Sequence, residues 1–338
     1  MSRRLLAGVL LGMLVYVGIA VWADVRGVGQ ALARIPAWVL PACCALSLAN
    51  YLIRFWKWQR YLALLDIRID RRTSLLIYFS GLSMSVTPGK MGEVFKSWLL
   101  RQVNGTRIHH SAPIVVAERF TDLLGYLILV AIGGLRTLPD FAWMFWATLA
   151  LCAVALALAG SAAFARAVVR AVARLPMIGR LAPRVEGAFA STRILLAPRE
   201  VVLPTLVSVI GWGCECTGFW LIANAIVPGC LDFLYAIFAF AFSAVAGAVL
   251  IVFPGGLGIT EFSLGKLVRE KFSKCSAPGL AEEVARKLAQ QNAAGAVILA
   301  RLCTLWFAVL VGFLATALFT RRFGAVEENG DEPSTSGS

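Results

Sequence analysis

The sequence predicts an all-α polytopic membrane protein, a helical bundle of inverted repeats with two re-entrant Pro-Gly hairpins. Its composition, its long apolar windows and a Pro-Gly motif that occurs twice together point there. Of 338 residues, 59% are hydrophobic and 15% charged, with a mean hydropathy of +0.78. A soluble domain carries about 25% charged residues, so the solvent for most of this chain is lipid. A spanning helix needs about 20 apolar residues. The candidate windows are Leu5–Ala23, Trp38–Ile53, Pro113–Leu135, Phe141–Ala163, Val201–Val227, Leu231–Phe253 and Ala293–Phe319. These runs are continuously apolar, which excludes the short alternating segments of a transmembrane β-barrel.

Taken in order, Leu5–Ala23 follows Arg3 and Arg4. It is longer than a signal-peptide core and its end lacks a small-x-small cleavage pattern, so it reads as a retained first helix. Basic loops mark the cytoplasmic face. Arg54–Arg72 holds six bases against two acids, Arg166–Arg199 holds seven against Glu186, and Arg321 and Arg322 close the last span. Both termini are then expected in the cytoplasm. Lys266–Lys287 conflicts with this scheme, because it holds six bases and three acids yet falls outside. Arg166, Arg170 and Arg174 recur every four residues among valines. They define either an amphipathic helix on anionic inner-leaflet headgroups or a solvated connector. The expected organisation is one membrane domain, 1–325, made of an extra helix 5–23, repeat one at about 37–163, a basic linker 164–200 and repeat two at about 201–320. The tail 326–338 is acidic and rich in Ser and Gly and is expected to be disordered.

Composition also excludes some functions. The net charge of +13 sits in loops beside apolar spans, where topology and lipid headgroups account for it without nucleic acid. The eight cysteines lie mostly within apolar spans and read as small core residues rather than a disulfide framework. Cys214 and Cys216 are sequence-distant from the two histidines, His109 and His110, so no zinc site is expected. No cofactor, metal or catalytic residue is assigned.

The repeat is the most informative feature. Val39-Leu40-Pro41 returns as Val202-Leu203-Pro204, and Thr87-Pro88-Gly89-Lys90-Met91-Gly92-Glu93 as Pro254-Gly255-Gly256-Leu257-Gly258-Ile259-Thr260-Glu261. Arg119-Phe120-Thr121 returns as Arg301-Leu302-Cys303. The segment Leu75–Val86 before the first turn is too short to span, so that turn reads as a hairpin entering from the cytoplasm. Its counterpart would enter from outside, which makes the repeats inverted, as in transporters that alternate access around a midplane site.

Proline blocks helix continuation and glycine permits positive φ. Thr87, Pro88, Gly89 and Gly92 in one turn, and Pro254, Gly255, Gly256 and Gly258 in the other, would therefore break helices within the bilayer. Such backbone is tolerated only where it is buried in protein or lines a wet cavity, and its free amides attract anions. A packing kink without a ligand is the bland alternative. Glu93 and Glu261, just beyond the turns, can cap a helix or pair with a base. Glu118, Arg119 and Asp122 open an apolar helix, with Arg119 able to reach Asp122. Glu215 and Arg301 lie within spans, where an ionised group costs about 2.5–3.5 kcal/mol on insertion scales. They are read either as an ion pair or as facing a substrate. Arg54 adjoins Phe55-Trp56-Lys57-Trp58, an interfacial belt first and a headgroup site second.

The Thr87–Glu93, Glu118–Asp122 and Pro254–Glu261 segments resemble the membrane region of the lysylphosphatidylglycerol synthase/flippase family, over about residues 5–322. The resemblance implies a bundle with re-entrant hairpins and lipid translocation. Synthase members carry an additional aminoacyl-transferase domain that this sequence does not show. The resulting expectation is a transporter rather than an enzyme: a flippase of a bacterial inner membrane for a phospho-, aminoacyl-, glycosyl- or polyprenyl-phosphate lipid. Arg119 and Arg301 would neutralise its phosphate. The rival readings are a membrane-embedded transferase acting on a lipid-linked sugar and a scaffold for a lipid synthase. Partners beyond membrane lipids would be such a synthase or a second copy of the chain.

Overall fold

A computed structural model describes residues 25–85, 93–134, 142–175, 179–249, 257–275 and 281–324. The described residues are helical without strands. The helices are α1 (Val25–Ala33), α2 (Val39–Leu64), α3 (Arg71–Leu82), α4 (Phe95–Asn104), α5 (Ile108–Ser111), α6 (Pro113–Gly134) and α7 (Ala142–Gly160). There follow α8 (Ala162–Ala173), α9 (Ala182–Leu195), α10 (Pro198–Ile226), α11 (Phe233–Val249), α12 (Ile259–Lys274), α13 (Glu282–Arg301) and α14 (Phe307–Phe323). A π turn, Leu302–Trp306, joins α13 to α14, and together they form one 42-residue helix. This helix, α2, α7 and α10 are long and apolar enough to cross a membrane. Predicted helix 5–23, both Pro-Gly turn tips and tail 326–338 lie outside the described residues.

The chain is apolar inside and out. Trp38, Leu40, Leu48 and Leu52 on α2, Val202, Leu206 and Ile210 on α10, and Leu310, Leu314 and Leu318 on α14 are exposed. In water such stripes would be a liability; in a bilayer they are the solvated face. Inside, α2 packs along α10 in antiparallel register. Cys43 Sγ donates to the Gly218 carbonyl, Asn50 meets Glu215, and Arg60 pairs with Glu200.

Two further contacts mirror each other: α3 lies on the last helix, α14, and α11 lies on α6. Both depend on small residues that let backbones approach. A Cβ on Gly312 would stand 2.1 Å from the Ser83 amide nitrogen, and one on Gly133 would stand 2.5 Å from the Leu234 carbonyl. With 12 and 10 residues, α3 and α4 are each too short to span, while α11 and α12 have 17 and 16.

The bundle has two distinct ends. At one, His110 bridges the Leu65 carbonyl and Ser191, Asn104 donates to the Arg68 carbonyl, and Gln102 to that of Phe323. Basic α8 and α9 are at this end. No residue of α8 is buried, and Ser161 caps it by accepting from the Phe164 amide. At the other end Trp220 and Asn224 donate to the Leu231 carbonyl, and Cys230 is disulfide-bonded to Cys275.

Three expectations need correction. Cys230 and Cys275 are not core thiols: they sit at helix ends rather than inside apolar spans, where the small-core-residue argument has no force. The six bases of Arg54–Arg72 are not all loop charges, because α2 continues to Leu64 and carries Arg54, Lys57 and Arg60. Arg54, Lys57 and Trp58 are buried while Trp56 is 48% exposed, so the Phe55–Trp58 cluster is divided between the core and the outer face of α2. Lys266–Lys287, in turn, is helical in its described residues, the end of α12 and the start of α13, whose bases and acids are spread over helix faces. Its Lys274–Glu270 and Arg286–Glu282 pairs are i, i+4 contacts.

Replacing Gly312 by Val should lower the melting temperature of the purified protein, by ~1–3 kcal/mol of stability for overpacking against fixed backbone. Gly213→Ala, where a Cβ meets nothing within 4 Å, should leave it unchanged. Equal melting of the two variants would contradict the close α3–α14 contact.

Candidate functional site

An aspartate buried in a helical bundle needs cations, and α2 supplies them. Asp122 on α6 accepts from Arg54 Nη2 at 2.8 Å and from Lys57 Nζ at 2.6 Å. Lys57 also donates to Ser208 Oγ on α10 at 2.8 Å, and Ser208 donates to Asp122 Oδ1 at 2.9 Å. Three helices are thus tied at one carboxylate. One turn earlier, Glu118 pairs with Lys96 of α4. The Lys96 ammonium lies 4.6 Å from the Trp58 ring and 5.3 Å from that of Tyr78, a cation–π cradle. Sequence reading found Asp122, Glu118 and Arg54 but missed Lys57 and Lys96. A usable signal existed in Lys57, three residues after Arg54 and so on the same face of one helix.

Beside this knot lies a cavity of about 310 Å³. Arg54, Glu93, Arg119, Asp122, Glu215 and Arg301 all line it. These are six of the predicted site residues, drawn from α2, the start of the α4 segment, α6, α10 and α13. Its apolar and aromatic wall includes Tyr51, Tyr126, Trp212 and Phe240, none predicted as a site residue. Trp212 stacks on Tyr126 with centroids 4.7 Å apart, and the Arg54 guanidinium carbon lies 4.6 Å from the Trp212 ring.

The same unit occurs twice in the cavity wall. Glu93, just after the first turn, pairs with Arg119. Glu261, just after the second, pairs with Arg301 at 2.6 Å. Arg301 is therefore held by Glu261, while Glu215 accepts from Asn50 Nδ2 at 2.6 Å. Glu261 also caps its helix: its Oε2 accepts from the Gly258 amide at 2.7 Å. Gly258 has φ 89°, a conformation that glycine adopts without a Cβ penalty. Glu261 and Glu118 stand behind the lining and fix bases in place, and Gly258 starts α12. Thr87, Pro88, Gly89, Gly92, Pro254, Gly255 and Gly256 lie outside the described residues. Arg119 also reaches Asp122, at 3.9 Å, the predicted i, i+3 contact.

The π turn follows Arg301 directly. It widens the helix there, and Tyr51 Oη donates to the Thr304 carbonyl at 2.7 Å. Single π turns inside α-helices often mark functional positions. Among the described residues, no group of three His, Cys, Asp or Glu side chains is placed to hold a metal.

The family described as lysylphosphatidylglycerol synthase TM region matches residues 9–269. The chain belongs to this family. The matched stretch takes in every lining charge except Arg301. No curated protein matches the chain. Membership makes it a multi-pass membrane protein, in keeping with the apolar helices.

Asp122→Asn should destabilise the fold strongly, by ~3–5 kcal/mol, because removing one partner leaves buried cations uncompensated. Glu200→Gln, at the half-exposed pair with Arg60, should cost about 1 kcal/mol or less. Thermal melts of both variants in detergent test this, and an unaltered Asp122→Asn melt would refute the knot.

Proposed function

We propose that the protein is a transporter that moves a polar or anionic lipid between membrane leaflets, with the headgroup passing through the charged cavity. One observation carries the reading: an apolar bundle encloses a cavity lined by three arginines and three carboxylates. Charge inside a bilayer is costly and faces a cavity or a partner when it is retained. A structural network needs only pairing, whereas here paired charges also border open space. The arginines nearest that space are the least buried, with side-chain exposures of 29% for Arg119 and 12% for Arg301. These two would neutralise a lipid phosphate.

The halves are proposed as inverted repeats. The equivalent helices α2 and α10 run antiparallel in contact, each Pro-Gly segment is followed by a Glu that binds an Arg of its own half, and the α3–α14 and α11–α6 contacts exchange between halves. Access would alternate by movement of one half against the other. The sequence shows no nucleotide-binding motif, so transport would be downhill or ion-coupled. A transferase would need a carboxylate poised as a base. Asp122 and Glu118, the two it would use, are engaged by buried cations, which favours transport.

The proposed orientation places the basic end in the cytoplasm and the disulfide end outside. Arg and Lys accumulate on cytoplasmic loops, and disulfides persist in oxidising compartments. The Arg-rich α8 and α9 lie at one end of the bundle and the disulfide at the other, where Lys266, Arg269, Lys271 and Lys274 run against the charge rule and the disulfide decides. The setting is a bacterial inner membrane with both termini in the cytoplasm, and α8 resting on anionic inner-leaflet headgroups. Other proposed partners are a lipid synthase and a second copy of the chain.

Reconstitution in liposomes with fluorescent lipids and a leaflet-selective quencher tests transport. Arg119→Ala and Arg301→Ala should each slow exchange by about tenfold or more, equivalent to ~1.4 kcal/mol of lost interaction. Wild-type rates in both variants, with both folded, would sink the site assignment. For orientation, a membrane-impermeant maleimide should label Cys230 and Cys275 in intact cells only after reduction, and a Cys230→Ala/Cys275→Ala variant should not gain label. Labelling that requires permeabilised cells would reverse the orientation.

A further inference from the structure

Among the described residues, the cavity lining carries hydroxyls on Tyr51, Ser85, Tyr126, Thr260 and Thr304. Two of them are engaged within the protein. Tyr51 Oη donates to the Thr304 carbonyl at 2.7 Å, and Thr304 Oγ1 to the Ala300 carbonyl at 2.9 Å. Among the described residues, none forms a hydrogen bond with the hydroxyls of Ser85, Tyr126 or Thr260. Local structure explains why. A helical Ser or Thr commonly donates to the carbonyl one turn earlier, as Thr304 does. Thr260 is the second residue of α12 and has no turn of that helix before it. Ser85 lies three residues past the end of α3. Tyr126 is fixed by its ring, which stacks on Trp212.

These three residues are 8%, 9% and 7% exposed in chain order. Elsewhere in the core, the hydroxyls of Tyr78, Ser80, Ser97 and Ser111 have neither a partner nor accessible surface. Those of Ser85, Tyr126 and Thr260 are not sealed in this way, and they open on the cavity that their residues line.

The charges beside them are already engaged. Arg54 and Arg119 approach Asp122, Arg119 pairs with Glu93, Arg301 pairs with Glu261, and Glu215 accepts from Asn50. A hydroxyl donates one hydrogen bond and can accept two. A phosphate oxygen only accepts and an ammonium only donates. Either would match one side of each hydroxyl and leave the other stranded, at about 1–3 kcal/mol for a buried group. A ligand that bears hydroxyls matches both sides. The three sit on separate elements, beside the first Pro-Gly segment, on α6 and at the start of α12. A partner for all of them must present hydroxyls in several directions, as a sugar or cyclitol ring does. Tyr51, Trp212 and Phe240 supply apolar wall for the C–H faces of such a ring.

We propose that the cavity selects a lipid with a polyhydroxyl ring as headgroup, a sugar or cyclitol, whose hydroxyls bind Ser85, Tyr126 and Thr260. This rests on the lipid-carrier reading of the same cavity, with Arg119 and Arg301 at the phosphate, and names the cargo class that the reading leaves open.

The test is native mass spectrometry of the full-length, delipidated protein. It would be titrated with phosphatidylinositol, phosphatidylethanolamine, lysylphosphatidylglycerol and phosphatidic acid of equal chains, and with soluble glycerophosphoinositol. Phosphatidylinositol should bind about tenfold more tightly than the other lipids, a difference of ~1.4 kcal/mol. Tyr126→Phe and Thr260→Val each remove a hydroxyl and keep the shape of the side chain. Each should weaken phosphatidylinositol about three- to tenfold, the worth of one hydrogen bond, and leave phosphatidic acid unchanged. Tyr51→Phe removes a hydroxyl that is engaged within the protein and should leave the ratio of the two lipids as it is. If Tyr126→Phe and Thr260→Val lower all lipids by one common factor, or change none, the hydroxyls do not read the headgroup and the proposal falls. Equal wild-type affinity for every headgroup also overturns it, while leaving the carrier reading intact. Binding of glycerophosphoinositol, weakened by Tyr126→Phe, without binding of any lipid would instead keep the polyhydroxyl site and remove the carrier reading.

Discussion

The carboxylate of Asp122 is the constraint on which the rest of the structure depends. It holds Arg54 and Lys57 of α2 and, through Ser208, α10, so three helices are fixed at one depth and one rotation. In a bilayer, apolar packing alone selects weakly among helix rotations, because lipid is as apolar as a leucine face. A buried charge selects strongly, since any rotation that separates it from its partners leaves an ion in hydrocarbon. This knot sets which face of α2 points inward, and that face delivers Arg54 to the cavity beside Trp212.

A gradient of burial separates anchoring charge from charge that can meet a ligand. Lys57 and Lys96 have side-chain exposures of 0% and 4% and are enclosed by their partners. Arg119 and Arg301 are more open, and each is held by a glutamate at the start of a post-turn helix segment, Glu93 within the lining and Glu261 behind it. A base held by its own counterion is positioned without losing its remaining N–H groups. Guanidinium suits this better than ammonium, because its planar fork can serve a carboxylate on one edge and a ligand on another.

Much of this was legible in the sequence, for stated reasons. Long apolar windows give helices directly, and α2, α6, α7 and α10 begin or end near their predicted limits. Arg54, Glu93, Arg119, Asp122, Glu215 and Arg301 were found because charge inside an apolar span is rare enough to be informative. Lys57 was lost because the predicted span stopped at Ile53, just before Arg54, and everything beyond it was counted as loop. In fact α2 continues for eleven residues past Ile53, its charges hidden by partners distant in sequence. The start of the last helix failed for the same reason: Glu282–Gln291 is polar, so hydropathy placed it outside the span. The pairing of Arg301 with Glu261 depends on helix rotation, which composition does not report. The Cys230–Cys275 bridge depends on two helix ends meeting, and their separation of 45 residues carries no local signal.

The distribution of core ion pairs bears on how the proposed halves could move. Arg54–Asp122, Lys57–Asp122, Lys96–Glu118 and Arg119–Glu93 join residues of the first half, and Arg301–Glu261 joins residues of the second. Apart from the partly exposed Arg60–Glu200 pair, the contacts described between halves are of another kind: Asn50 to Glu215, Lys57 to Ser208, Tyr51 to the Thr304 carbonyl and Cys43 to the Gly218 carbonyl. Each is a hydrogen bond with at least one neutral partner, set among apolar side chains. Separating an ion pair in a low-dielectric interior costs several kcal/mol, whereas exchanging a hydrogen bond for another acceptor or donor costs about 1 kcal/mol. A shift between halves under the proposed transport would carry these pairs along intact and exchange mainly the weaker contacts. Ion pairs whose two members lie in the same half let a membrane-embedded site change shape without separating those charges.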